Sequence, residues 1–169
     1  LASVIINGHF VCQRRFEAAE ALRLIEAERI SNLYLVPTLY HDLLTASGFA
    51  KTDTSSVRKL GFAGQAMTDG LLKRLNEAFQ PELFVNHYGS SEIYTFTIEP
   101  NAAGKPGSAG KAGLNLEVRV VSLGSTDPSE TVSSGVEGQI IATLDGDESF
   151  TGYWNRPDAN TKSLHDGWY

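Results

Sequence analysis

The sequence predicts an α/β protein, with a mostly parallel sheet flanked by helices over residues of about 1–100 and an antiparallel, β-rich portion over about 110–150. Two observations support this fold class. In the first part, short apolar runs alternate with segments whose apolar residues recur at helical spacing, as in a parallel sheet covered by helices. In the second part, apolar residues alternate with period two, which is typical of antiparallel strands.

The first part begins with two pairs of a strand and a helix. An apolar run at Ser3–Asn7 predicts a strand, and the helical spacing of apolar residues over 16–28 predicts an amphipathic helix. Asn32–Val36 predicts the next strand. Pro37 ends that strand, and its fixed φ suits the first turn of the helix that follows.

The same order recurs further along the chain. Leu60–Gly64 predicts a buried strand, Thr68 is a helix cap, and Leu83–Asn86 predicts another strand. In sheets of this kind, ligands bind beyond the carboxyl ends of the strands. We therefore expect a site in Gly64–Met67 and Asn86–Glu92.

The second part contains glycine-rich loops and short strands. Residues 104–113 predict a surface loop, because the lysines there do not follow the residue order of a phosphate-binding P-loop. Leu116–Val120 and part of Gly138–Leu144 predict strands, joined by a polar loop over Gly124–Gly138.

Composition excludes several classes of protein. The 14 Lys and Arg against 20 Asp and Glu give a net charge of -6 without a basic cluster, which argues against a nucleic-acid partner. No apolar stretch reaches the roughly 18 to 20 residues of a membrane span. The single cysteine, Cys12, cannot form an internal disulfide, so we expect a reducing, cytoplasmic location. Assembly into a homo-oligomer stays open.

Both ends of the sequence suggest a longer protein. The chain begins at Leu1 rather than a methionine, runs into an apolar segment, and stops at Gly167–Tyr169 without a polar tail. Natural domain boundaries tend to fall in exposed polar linkers. We therefore expect the chain to be an internal fragment.

Residues 88–92 carry the side chains of a nucleotide site. Tyr88 offers a flat face to a base, and Gly89 allows the backbone to approach a ligand. The hydroxyls of Ser90 and Ser91 can donate to phosphate oxygens, and Glu92 can hold Mg²⁺. An ordinary loop, with the tyrosine in the core and the glutamate in solvent, fits the same composition.

The heptad Asn86–Glu92 resembles the Asn-x-Tyr-Gly-x-Thr-Glu signature of the adenylate-forming, AMP-binding enzymes. This superfamily includes acyl-CoA synthetases, nonribosomal peptide adenylation domains and luciferases. Phe62–Met67 resembles its glycine-rich adenine loop. Further segments resemble family segments in the family's order: Gly107–Lys111, Gly135–Ile141, Gly152–Pro157 and Asp166–Tyr169.

The resemblance implies a role for each site residue. Those implied in binding the nucleotide are Gly64, Gln65, Ala66, Asn86, His87, Tyr88, Gly89, Ser90 and Ser91. Tyr88 would stack on adenine. Ser91 and Glu92 would be catalytic, with Ser91 hydrogen-bonded to the α-phosphate and Glu92 bound to Mg²⁺. A serine in place of the commoner threonine keeps the hydroxyl, whereas the bulky Gln65 and Met67 depart from the usual pocket.

The implied reaction is the attack of a carboxylate on the α-phosphate of ATP, followed by transfer of the acyl group from acyl-AMP to coenzyme A. The chain would be part of the family's N-terminal domain, with the adenine loop and the heptad in residues 1–100 and a β-rich part in 101–169. The phosphate loop and the C-terminal domain are absent from this chain. We therefore expect the isolated chain to lack full activity.

Several alternatives stay open. The chain could belong to an adenylation domain that loads a carrier protein, or to a non-catalytic nucleotide-binding module. The acid is undetermined, with a slight preference for aromatic acids because the adenine loop and the heptad are most similar to aryl-CoA ligases of the chlorobenzoate and coumarate type. His87 either packs at a strand end or reaches an acyl pocket. Tyr94 and Thr95 either line that pocket or belong to a buried strand over Tyr94–Ile98.

Overall fold

A computed structural model describes residues 5–169. Helices α1 to α4 span Ala18–Ala27, Pro37–Thr45, Asp69–Phe79 and Pro157–Ser163, and a 3-10 turn spans Phe49–Lys51. Strands β1 to β7 span Asn32–Leu35, Lys59–Phe62, Leu83–Tyr88, Thr97–Glu99, Lys111–Ala112, Val118–Val121 and Gln139–Ala142.

The strands form two sheets. Five strands follow the order β1-β2-β3-β4-β5, and β6 pairs with β7 in a separate sheet. β1 and β2 are parallel, whereas β4 is antiparallel to both β3 and β5. The predicted α/β fold class, with a separate antiparallel portion in the second part, is confirmed.

The chain divides into two compact units. The first contains the residues up to Val85 together with Pro100–Gly107, and the second contains Asn86–Glu99 and Ser108–Tyr169. Strand β3 contributes residues to both units. The adenine-loop segment therefore belongs to the first unit, and the heptad to the second.

The first unit has a hydrophobic core built from one face of each of its helices. Its buried residues include Leu22 and Ile25 of α1, Leu43 of α2, and Leu72 and Leu75 of α3. The threonine at residue 68 caps α3 as predicted, because its hydroxyl accepts from the backbone N–H of the third helical residue at 3.4 Å.

Tyr40 connects α2 to the two parallel strands. Its side chain is fully buried, and its hydroxyl lies 2.9 Å from the carbonyl oxygen of Leu33 in β1 and 3.0 Å from that of Gly61 in β2. The single hydroxyl hydrogen is shared between these two carbonyls. Tyr40 therefore satisfies backbone acceptors inside the core that positions the end of β2.

The second unit is smaller and β-rich. β6 and β7 pair in antiparallel register from Val118 opposite Ala142 to Val121 opposite Gln139, as the period-two pattern predicts. Ile93 and Phe96 pack with Ala142 in a separate hydrophobic cluster.

Three local predictions differ from the structure. The sequence predicts a strand at residues 3–7, of which Ser3 and Val4 lie outside the described residues. Ile5 is helical and Asn7 lies in a turn with φ 55°, so the predicted strand is wrong for the described part. A short apolar run cannot distinguish strand from helix by itself. The loop predicted over 104–113 includes the two-residue strand β5. Of the alternative buried strand over Tyr94–Ile98, residues 97 and 98 lie in β4, whereas Tyr94 lies outside it and is 61% exposed.

Within residues 5–169, the search for helices that could span a bilayer found none.

Candidate active site

The heptad ends β3 and starts the connection to β4. Three antiparallel pairs join these strands, from Asn86 opposite Glu99 to Tyr88 opposite Thr97. The backbone N–H of Phe96 donates to the carbonyl of Tyr88 at 2.8 Å and closes the connection. Residues 89–95 therefore form a tight loop at the end of a strand, where the sequence predicts the site.

Gly89 is required by the packing of this loop. A Cβ built on Gly89 would lie 1.9 Å from the carbonyl oxygen of Tyr94, and real Cβ atoms do not approach backbone so closely. The glycine allows two backbone segments of the loop to approach each other. From the sequence, we expect the backbone at Gly89 to approach a ligand. In the structure, it approaches the backbone of Tyr94.

The two serine hydroxyls occupy different environments. Ser90 Oγ accepts from the backbone N–H groups of Glu92 at 3.2 Å and Ile93 at 3.3 Å, so it stabilises the turn. The side chain of Ser91 is exposed. Of the two hydroxyls, that of Ser91 is therefore the better placed for a ligand.

Glu92 is a half-buried carboxylate held from a distant part of the sequence. Its Oε1 accepts a 2.8 Å hydrogen bond from the hydroxyl of Tyr153, and its carbonyl oxygen accepts one from the backbone N–H of Phe150 at 2.8 Å. Hydrogen bonds from the hydroxyls of Ser90 and then Tyr153 hold the pKa of Glu92 below its usual range. The carboxylate is therefore negatively charged at neutral pH.

Aromatic rings connect the tyrosine of the heptad to this carboxylate. Tyr88 is 40% exposed and packs against Phe96 at 5.4 Å between ring centroids, and Phe96 stacks on Tyr169 at 6.2 Å. The hydroxyls of Tyr169 and Tyr153 lie 3.4 Å apart. Tyr88 is thus a supported, partly open ring, as a platform for a base requires.

A groove of about 630 Å³ in the second unit runs along this cluster. Its lining includes Tyr88, Gly89, Ser90, Phe96, Lys162 and Trp168. The positive charge of Lys162 suits an anionic ligand. The sequence gives no signal for this residue, because it lies in a short polar helix that resembles no nucleotide-binding pattern.

Asn86 has a structural contact. Its side-chain amide donates to the carbonyl oxygen of Ser108 at 2.8 Å, while the hydroxyl of Ser108 donates to the buried carboxylate of Glu99 at 3.0 Å. Asn86 therefore fixes the Gly107–Lys111 segment against the end of β3.

His87 belongs to a group of hydrogen-bonded polar side chains. The hydroxyl of Thr95 donates to Oε2 of Glu148 at 3.1 Å and lies 3.1 Å from Nε2 of His87. The hydroxyl of Thr95 therefore bridges the carboxylate of Glu148 and the ring of His87. The ring also makes an edge contact with Tyr94 at 4.8 Å.

The adenine-loop residues lie in the first unit. Gly64, Gln65 and Ala66 are all exposed, directly after β2. Gly64 adopts φ 87°, a left-handed conformation that favours glycine. Met67, one of the departures from the family pattern, is buried in the core at 6% exposure. It therefore anchors the loop.

The residues present fit one kind of magnesium site. Residues 5–169 contain no group of three or more His, Cys, Asp or Glu side chains that could hold a metal ion. Glu92 is a single ionised carboxylate, and Mg²⁺ commonly binds through one or two carboxylates together with the phosphates of a substrate. The site therefore suits Mg²⁺ that arrives with a nucleotide.

Comparisons with known proteins agree with the motifs. A family model described as AMP-binding enzyme matches residues 1–154. The chain is 32% identical over 169 residues to 4-chlorobenzoate-CoA ligase of Arthrobacter, covering all of this chain and 32% of that protein. It is 29% identical over 172 residues to feruloyl-CoA synthase of Amycolatopsis, covering all of this chain and 33% of the relative.

The fold of the chain is also similar to that of a solved structure. The structure of the luciferase-like enzyme from the nonluminescent mealworm Zophobas morio superposes with a TM-score of 0.83 at 23% identity, covering 98% of this chain and 39% of that one. The chain spans about a third of the length of the curated relatives that it matches. On the extent of the family match, this chain belongs to the AMP-binding enzyme family.

Proposed function

We propose that this chain is part of the N-terminal domain of an ATP-dependent, AMP-forming acid:CoA ligase. The observation that carries the proposal is the loop at Tyr88–Glu92, where an open aromatic ring, an exposed hydroxyl and an ionised carboxylate occur together. Similarity to relatives named as CoA ligases supports the same function. The phosphate loop and the C-terminal domain would be supplied by the rest of the protein.

Each residue of the site has its own role in adenylation. Tyr88 stacks against adenine. Ser91 donates a hydrogen bond to the α-phosphate, and Glu92 holds the magnesium ion. Magnesium held there would supply neutralisation of the phosphate charge. Catalysis of this step is positioning plus charge stabilisation, since the protein forms no covalent bond with the substrate.

The proposed reaction has two steps. A carboxylate oxygen of the acid attacks the α-phosphorus, and the bond to the bridging oxygen breaks, so pyrophosphate leaves with the electron pair. The thiol of coenzyme A then attacks the acyl carbon, loses its proton, and displaces AMP. The carboxylate oxygen that attacked phosphorus leaves in AMP.

The proposed substrate is an aromatic acid, because two relatives are named for chlorobenzoate and ferulate. The proposed location is the cytoplasm, where coenzyme A and reduced thiols such as that of Cys12 occur together.

The test is ATP-pyrophosphate exchange by the full-length enzyme with a panel of aromatic and aliphatic acids. We expect exchange to depend on an added acid and to be fastest with aromatic acids. Fastest exchange with fatty acids would contradict the substrate class only. If no acid of the panel supported exchange, the acid-activating function would be contradicted. If product formed with a carrier protein but not with coenzyme A, the acyl acceptor would be the carrier protein.

A further inference from the structure

Tyr153 is tied to Glu92 although the two residues are 61 positions apart in the sequence. Its hydroxyl donates to Oε1 of Glu92 at 2.8 Å. The segment Gly152–Pro157 resembles a family segment, yet nothing in the reaction described above uses a residue of that segment. The contact with Glu92 gives one of its side chains a role.

The position of Tyr153 is fixed on several sides. Its backbone N–H donates to Oδ1 of Asn160 in α4 at 2.7 Å, and its ring makes an edge contact with Phe150 at 4.9 Å. Phe150 in turn donates its backbone N–H to the carbonyl of Glu92. The same short segment therefore holds both the backbone and the carboxylate of Glu92.

A second phenol continues this chain of hydrogen bonds. The hydroxyls of Tyr153 and Tyr169 lie 3.4 Å apart, and the hydrogen of Tyr153 is directed to the carboxylate. The hydroxyl of Tyr169 thus lies beside both Tyr153 and Glu92, and it also contributes to holding the pKa of this carboxyl low.

We propose that Tyr153 is a positioning residue, which orients the Glu92 carboxylate so that its remaining lone pairs face the magnesium ion of the bound nucleotide. This inference rests on the proposed function. A carboxylate has about four lone-pair sites, so one hydrogen bond leaves capacity for a cation. A neutral phenol suits this task better than lysine or arginine, because it orients the carboxylate without cancelling the charge that attracts the metal.

The test uses the full-length enzyme with Mn²⁺ as a spectroscopic substitute for Mg²⁺. Electron paramagnetic resonance measures the affinity for Mn²⁺ in the presence of ATP, in the wild type and in Tyr153→Phe. Removal of a group that orients a metal ligand weakens metal binding about 10- to 100-fold, and we expect a loss of about tenfold. The affinity for ATP without a divalent ion should stay unchanged.

Tyr40→Phe is the matched control, since it also removes one tyrosine hydroxyl that donates to oxygen but lies in the core of the first unit. It should lower thermal stability and leave Mn²⁺ affinity at the wild-type value. Tyr153→Phe keeps the packed ring, and its melting curve checks that it is folded. Equal Mn²⁺ affinity in a folded Tyr153→Phe variant and in the wild type would overturn the role of Tyr153.

A double-mutant cycle with Glu92→Gln assigns the effect to this pair. In the Glu92→Gln background, Tyr153→Phe should change Mn²⁺ affinity by less than about twofold, which is the limit of additivity for independent sites. A tenfold loss that persisted without the carboxylate would overturn the proposal. A wild type that binds ATP with no Mn²⁺ at all would instead contradict the proposed function.

Discussion

Glu92 is the residue on which the proposed chemistry depends most. Replacement by glutamine keeps the shape of the side chain but removes the negative charge that is stabilised by Ser90 and Tyr153. We expect Glu92→Gln to lower the rate of adenylation on the order of 100-fold, comparable to the loss of one preorganised charge-stabilising group in other enzymes.

Steady-state ATP-pyrophosphate exchange measures this effect, with Glu77→Gln as control. Glu77 is a glutamate on the exposed surface of α3, where its weak 3.9 Å ion pair with Lys73 should contribute little. An unchanged rate in Glu92→Gln would remove Glu92 from the metal site.

Gly89 gives a prediction about packing. In Gly89→Ala, the new methyl group would lie 1.9 Å from the carbonyl oxygen of Tyr94, so the loop must open. We expect a loss of stability of about 1 to 3 kcal/mol, the usual cost of overpacking, together with weaker ATP binding.

Gly70→Ala is the matched control, because a Cβ at Gly70 in the first turn of α3 has nothing within 4 Å. Alanine there should be neutral or stabilise the helix by up to about 1 kcal/mol. Urea unfolding compares the two variants, and equal stabilities would show that the loop tolerates a side chain at residue 89.

The residues of the heptad could be identified from the sequence, but their partners could not. Tyr88, Ser91 and Glu92 are close in sequence, and a strand end is where a ligand site is expected. Tyr153 reaches Glu92 across 61 positions, and Glu148 reaches Thr95 across 53. Such contacts depend on how strands pair, and no periodicity or spacing in the sequence encodes them.

Among the helices and strands, α2 and its parallel strands form the most tightly connected group. Tyr40 is buried, and burial raises the pKa of its hydroxyl. Because the pKa is raised above the value of about 10 in the unfolded chain, the protonated hydroxyl stabilises the fold fully below pH 10 and loses this contribution as the pH rises further.

We therefore expect Tyr40→Phe to lower the free energy of unfolding by about 1 to 3 kcal/mol at neutral pH, the cost of leaving buried acceptors without a donor. The difference from the wild type should shrink above about pH 10, where tyrosine ionises in the unfolded chain. Denaturant unfolding at a series of pH values measures it. A difference that stayed constant up to pH 11.5 or so would contradict the burial of the hydroxyl.

Element type was predictable where the pattern was long enough. The periodicity of α1 and α3 and the proline at the start of α2 gave these helices within a few residues, and alternation gave β6 and β7. β4 and β5 have three and two residues, too few to show a period. The antiparallel pairing that begins before residue 100 could therefore not be predicted from the sequence.

For the whole molecule, the chain corresponds to about a third of the length of its curated relatives. It brings the heptad, the aromatic cluster and Tyr153 together in one compact unit, and places the adenine-loop segment in another. In the proposed function, the phosphate loop is supplied by the rest of the protein. Activity is therefore measured on the full-length enzyme, whereas the contacts of Glu92 can be tested by substitutions within this chain.

The most direct test of an AMP-forming ligase is to follow the oxygen atoms of the acid. The full-length enzyme is given an accepted acid labelled with oxygen-18 in its carboxylate, together with ATP and coenzyme A, and the products are analysed by mass spectrometry. Attack of the carboxylate on the α-phosphorus predicts that AMP carries one labelled oxygen and that pyrophosphate carries none. Label in inorganic phosphate, with ADP as the other product, would contradict an AMP-forming ligase.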